Sequence, residues 1–217
     1  MRDIELITII TIGINVLLSM KGFKDQAFFN RYKFTVGDVR RGEKIRLLSS
    51  GFLHVDTTHL LVNMLTLYFF ADFIIYQMGA WQFAAIYLGS LLLGNLLSLY
   101  FHKDEPQYAA VGASGAVMGV LYAAILLKPD MMLGLYFIIP IPAYIFGIGY
   151  LLYSIYGMRK HIGNIGHEAH FGGAMGGYFI TLLLEPWVLE AHLTMTILLA
   201  VPLVVLFIVY KYNLIPS

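Results

Sequence analysis

The stretch AAVGASGAVMGVLYAAILL, residues 109–127, decides the fold. It carries no charge over a length that suits a bilayer, where a helix needs roughly 20 apolar residues. Yet it holds Ser114 between glycines at 112 and 115. A second apolar run, 168–184, holds His170 near its start. Polar and ionisable side chains at membrane depth are costly and mark pathways or reactive sites. Together the two runs point to a hydrolytic site inside the membrane.

Working outward, further apolar runs lie at 4–20, 59–79, 81–101, 141–157 and 192–210. Seven spans of this kind predict an all-α, polytopic membrane helical bundle. Composition agrees: 59% of residues are apolar and 12% charged, against about a quarter charged in soluble domains. A net charge of +1 offers no argument for nucleic acid or acidic partners. Cysteine is absent, which excludes disulfides, thiolate metal sites and a cysteine nucleophile. The first run has no small-x-small cleavage pattern and reads as a retained signal-anchor helix. No linker divides the chain, so residues 1–217 are expected to form a single membrane domain, with no soluble domain at either end.

Two connections have character of their own. Residues 21–51 mix Phe23, Phe28 and Phe29 with Arg31 and Lys33, which suits either an interfacial structure or a solvated loop. In the other, Pro140-Ile141-Pro142 interrupts an apolar stretch. Proline fits the first helical turn, so the fifth helix is expected to start near Pro142, with 131–139 approaching it in extended form.

The chemistry gathers on few residues. If Ser114 opens the fourth helix, its backbone N–H lacks an intrahelical partner and is free to donate to an oxyanion. Gly115 and Gly119 also form a small-xxx-small packing pair, the blander reading of the same glycines. His170 is followed by Gly173 and Gly177, which share its face. The fourth and sixth helices can then approach backbone to backbone, bringing imidazole within reach of hydroxyl for general-base chemistry. His59 and Asn63, spaced i, i+4, can both donate hydrogen bonds to a tetrahedral oxyanion. Asn63 alone reads more readily as an interhelical bond, and His54 reads as a loop-ordering residue. No carboxylate is placed to orient His170, because Glu168 lies on another face and Asp72 about 20 Å along the helix from His59. The catalytic unit is therefore a Ser–His dyad. His167-Glu168-Ala169-His170 lacks the His-Glu-x-x-His spacing of a helical zinc site, so no metal is expected.

In order along the chain stand Glu43-x-x-Arg46, His54-x4-His59-x3-Asn63, Gly112-x-Ser114-Gly115 and His170-x2-Gly173-x3-Gly177. This series resembles the rhomboid intramembrane serine proteases over roughly 40–185. The resemblance implies a six-helix core over about 1–187 with an additional C-terminal helix at 192–210. It implies Ser114 as nucleophile, His170 as general base, and an oxyanion hole of His59, Asn63 and the Ser114 N–H, supported by Gly112, Gly115, Gly173 and Gly177. No metal or organic cofactor is implied. The partners would be the lipid bilayer and single-span membrane proteins, cut in or near the membrane. A multi-pass location in a bacterial inner (cell) membrane follows, with 21–51 outside, although lysines and arginines crowd that side against the positive-inside tendency. Ile45 and Met118 depart from the family pattern. Met118 stands where many members set an aromatic ring against the histidine, which allows a looser imidazole, although methionine can also pack there. His167 adds an ionisable group of no evident role. Two other classes fit less well: an inactive relative that binds transmembrane helices, and a small-solute transporter, which would show paired broken helices.

Overall fold

A computed structural model describes residues 4–135, 139–160 and 166–212. Seven long helices are found among them: α1 (Leu6–Lys24), α5 (Thr57–Met78), α6 (Ala80–Phe101), α7 (Ser114–Leu127), α8 (Ala143–Lys160), α9 (His167–Leu184) and α11 (Leu193–Lys211). Between them lie the short helices α2 (Gln26–Tyr32), α3 (Val36–Arg40), α4 (Arg46–Ser49) and α10 (Trp187–Ala191), and a 3-10 turn at Ser50–Phe52. Four of the long helices, α1, α5, α6 and α11, are long and apolar enough by themselves to cross a membrane. Their exposed faces carry large apolar side chains, Leu6, Ile9 and Leu17 on α1 and Ile197, Val204 and Phe207 on α11. Hydrocarbon-facing walls demand this pattern, because every backbone polar group there is satisfied within its own helix. The chain is an integral, multi-pass membrane protein.

The bundle is built around α7. Every residue from Gly115 to Leu127 is buried, and α6, α9, α5 and α8 pack around them. Lipid tails are as apolar as leucine, so burial alone does not hold membrane helices together; close packing of small residues does. The glycines of α9 supply that closeness. Gly173 and Gly177 lie directly on the backbone of Gly115 and Gly119, and Gly172 lies on that of Leu93 and Gly94 in α6. Polar bonds tie the outer helices on: Asn15 of α1 donates to the Tyr87 hydroxyl of α6 at 3.0 Å. Tyr178 of α9 donates to the Thr196 carbonyl of α11 at 3.0 Å.

Two small antiparallel pairs complete the fold. Strand β1 (Phe34–Thr35) pairs with β2 (Ala109–Ala110), with Phe34 opposite Ala110. Strands β3 (Met132–Leu135) and β4 (Ile139–Pro142) pair with Met132 opposite Pro142. The extended approach to the fifth long helix is thus a folded-back ladder, and α8 starts at Ala143, just past Pro142. Residues 21–51 are not a free loop. They fold as α2, β1, α3 and α4 around the Arg46 guanidinium, which donates to Glu43 and to the carbonyls of Asn30 and Lys33, each at 2.8 Å.

The start of the fourth span differs from the expectation. The fourth span does not run from residue 109: its first residues are drawn into β2, and the helix begins at Ser114. At 14 residues against 22 for α5 and α6, α7 is shorter by about 12 Å of rise. Its first turn is enclosed by the bundle, with Ala113, Gly115 and Ala116 buried.

Candidate active site

The local sequence explains why Ser114 stands where it does. Strand pairing holds Ala109 and Ala110, and the Gly112 N–H donates to the Ser50 carbonyl at 3.0 Å. Gly112 then turns with φ of 130°, a conformation open to glycine and strained for other residues. The Ala113 N–H points to His54 Nε2 at 3.4 Å, and His54 Nδ1 donates to Ser19 Oγ at 2.8 Å, which donates on to the Phe52 carbonyl. That chain requires a neutral imidazole. Burial, with His59 adding to it against Asp56, lowers the His54 pKa to about 3. His54 is a strut for the turn, the loop-ordering role its sequence position suggested.

Ser114 is the first residue of α7, so its N–H has no partner in the helix and sits at the positive end of the helix dipole. Its Oγ lies 2.5 Å from His170 Nε2. His170 is on the first turn of α9, and both side chains are half-buried. The contact between α7 and α9 at Gly115 and Gly173 brings the two helix starts together.

His59 and Asn63 project from the first two turns of α5, where Asp56 caps the helix by accepting from the His59 N–H at 2.7 Å. Asn63 is 5% exposed, and its Nδ2 has no hydrogen-bond partner among the described residues. A buried donor left unpaired costs about 1–3 kcal/mol, so it is a place to look for a transient acceptor. His59 borders the same space as Ser114. A Cβ on Gly112 would stand 2.6 Å from His59 Cε1, 2.8 Å from its Nε2 and 3.7 Å from Ser114 Oγ. The missing side chain at Gly112 keeps that space open.

The other ring nitrogen of His170 is also engaged. Tyr150 of α8 lies with its hydroxyl 2.5 Å from Nδ1 and its ring 5.7 Å from the imidazole, tilted by 36°. This corrects the expectation of a loosely held histidine. Met118 is buried on α7 as any packing methionine would be, and the aromatic partner comes from a different helix. The sequence offered little to find it, since Tyr150 stands beside Phe146 and Tyr153 on an apolar helix with no polar pattern to single it out.

Of the neighbouring ionisable groups, Glu168 engages another helix. Glu168 faces His102 at the end of α6, with Oε1 3.5 Å from Nε2, while His102 Nδ1 lies 3.0 Å from Glu105. The His102 ring stacks on Tyr108 at 3.5 Å. Burial lowers the His102 pKa, but Glu168 and Glu105 outweigh it and the net direction is upward. His167 is buried in the seam between α8 and α9, packed against Gly157 and edge-on to Tyr153. Among the described residues, no cluster of three side chains suited to a metal ion occurs.

Residues 41–187 match the family model described as the Rhomboid domain. "RHOMBOID-like protein 12, mitochondrial" of Arabidopsis thaliana is 30% identical over 188 residues, covering 80% of this chain and 56% of that protein. "Rhomboid protein 1, mitochondrial" of Saccharomyces cerevisiae is 32% identical over 139 residues, covering 62% of this chain and 40% of its own length. "Presenilin-associated rhomboid-like protein, mitochondrial" of Mus musculus is 33% identical over 142 residues, covering 62% and 37%. The chain thus spans about half or less of these curated relatives.

Proposed function

The chain belongs to the rhomboid family, and from that premise we propose that it is an intramembrane serine endopeptidase acting through Ser114 and His170. The observation that carries this reading is the 2.5 Å approach of Ser114 Oγ to His170 Nε2 at the starts of α7 and α9 within a membrane bundle. In the proposed reaction, Nε2 takes the hydroxyl proton as Oγ attacks a peptide carbonyl, then returns it to the leaving amine. A water activated by the same nitrogen then releases the acyl group. The oxyanion is stabilised by the Ser114 N–H, His59 and the unpaired Nδ2 of Asn63, each such donor being worth about 3–4 kcal/mol of barrier. Gly112, Gly115, Gly173 and Gly177 keep the backbones close and the space free.

The proposed substrates are single-span membrane proteins, whose peptide bond must leave its helix to reach the space beside Ser114 that Gly112 keeps open. No metal or organic cofactor takes part in this reading. The expected host, a bacterial inner membrane, rests on the sequence resemblance alone, and the relatives carry mitochondrial names. Purified protein in detergent is expected to cleave a single-span substrate and to take a fluorophosphonate label, both lost in Ser114→Ala. Cleavage by Ser114→Ala at the wild-type rate would overturn the assignment. Persistent silence towards the probe in a folded sample would favour a helix-binding role instead.

A further inference from the structure

We infer that Tyr150 is a positioning residue: its hydroxyl selects the His170 tautomer able to accept a proton from Ser114. This rests on the protease reading above and adds a third member to the proposed dyad. Neutral imidazole carries one proton. To serve as base toward Ser114 Oγ–H, Nε2 must be bare, which leaves the proton on Nδ1. The Tyr150 Oη stands 2.5 Å from that nitrogen, and in the tautomer that leaves Nε2 bare it is the acceptor for the Nδ1–H. The opposite tautomer would turn a hydrogen at Nε2 toward Ser114 and leave the hydroxyl without its base.

The tyrosine is itself held. Tyr122, buried on α7, donates to the Gly147 carbonyl at 2.9 Å. Gly147 lacks the side chain that would meet the Tyr122 ring at 3.3 Å. Tyr150 follows Gly147 by three residues on the same face of α8, so the α7–α8 contact sets how far its hydroxyl reaches. Phe146 stacks on the tyrosine ring at 5.7 Å and 16°. As Nε2 gains a proton, the Nδ1–H···Oη bond becomes charge-assisted and strengthens. An interaction that grows as charge develops lowers the barrier rather than merely binding the ground state.

The test is Tyr150→Phe, which keeps the ring and removes the acceptor. The kcat on a single-span substrate is expected to fall about 10- to 100-fold, the range for losing one hydrogen bond to a developing charge, with KM within about twofold. In protein labelled with 15N-histidine, the His170 signals, assigned by their absence from His170→Ala, are expected to show Nδ1–H in the wild type. In Tyr150→Phe they are expected to shift toward a mixture of tautomers. Unchanged nitrogen signals, or a loss carried mainly by KM, would overturn the inference and make Tyr150 part of the substrate path. The tautomer measurement needs no turnover, so its outcome is separate from that of the Ser114→Ala test.

Discussion

The contact between α7 and α9 admits a quantitative test at Gly173. A Cβ placed there would lie 2.6 Å from the carbonyl carbon of Gly115 and 2.8 Å from its Cα. Carbon atoms in contact settle at about 3.5–4.0 Å, so Gly173→Ala must part the two backbones by about 1 Å. Neither neighbour can yield by rotating a side chain, because both contacts are backbone. Gly115 follows Ser114 directly and Gly173 lies one turn below His170, so the wedge opens at the site. The 2.5 Å approach of Ser114 Oγ to His170 Nε2 would stretch to about 3.5 Å, outside useful hydrogen-bond range. A displacement of that size is expected to slow the reaction about 100-fold, while overpacking destabilises the bundle by about 1–3 kcal/mol. Rates of fluorophosphonate labelling and substrate cleavage would be read beside thermal unfolding in detergent. Gly149→Ala on α8 is the control, because nothing lies within 4 Å of its added Cβ. Labelling by folded Gly173→Ala within twofold of wild type would refute the reasoning, and so would an equal loss in Gly149→Ala.

Two further predictions follow from single residues. Asn63→Ala is expected to reduce kcat about 100- to 1,000-fold, as for loss of one oxyanion donor, and to leave the melting temperature nearly unchanged because Nδ2 makes no bond to lose; a large drop in melting temperature with normal turnover would assign Asn63 to packing. Burial, then His59, hold His54 at about 3 against 6.5 when unfolded, so the unfolded chain takes a proton that the folded chain refuses. Stability is full above about 6.5 and falls by about 1.4 kcal/mol per pH unit below it. In melting curves between pH 7.5 and 5, His54→Gln is expected to show a shallower slope, and a slope equal to wild type would refute the strut.

The seven apolar blocks were legible because bilayer thickness sets a length that composition alone can satisfy, and six of the seven helices begin within about two residues of where hydropathy put them. The exception is instructive. Hydropathy cannot see that Ala109 and Ala110 have a strand partner at Phe34 and Thr35, so the run looked helical from residue 109 although the helix opens at Ser114. Glycine spacing on the fourth and sixth runs announced a close approach, since small residues at one-turn intervals have few other uses in a membrane, and that approach brings Ser114 and His170 together. Glu168 was legibly on another face from His170, but its engagement with His102 depended on where α6 ends.

Tyr150 lay beyond the sequence for a general reason. Hydrogen-bonding partners from different helices depend on rotation and depth, which packing sets, and one tyrosine on an apolar helix spells the same letters whether it faces lipid or imidazole. The sequence alone determined a multi-pass helical membrane protein of the rhomboid type and singled out Ser114, His170, His59 and Asn63 as its candidate site. Tertiary structure alone decided how deep α7 begins, which side chains frame the space beside Ser114, and what holds the far side of His170. Those are sums of many contacts across the chain, and no local pattern encodes them.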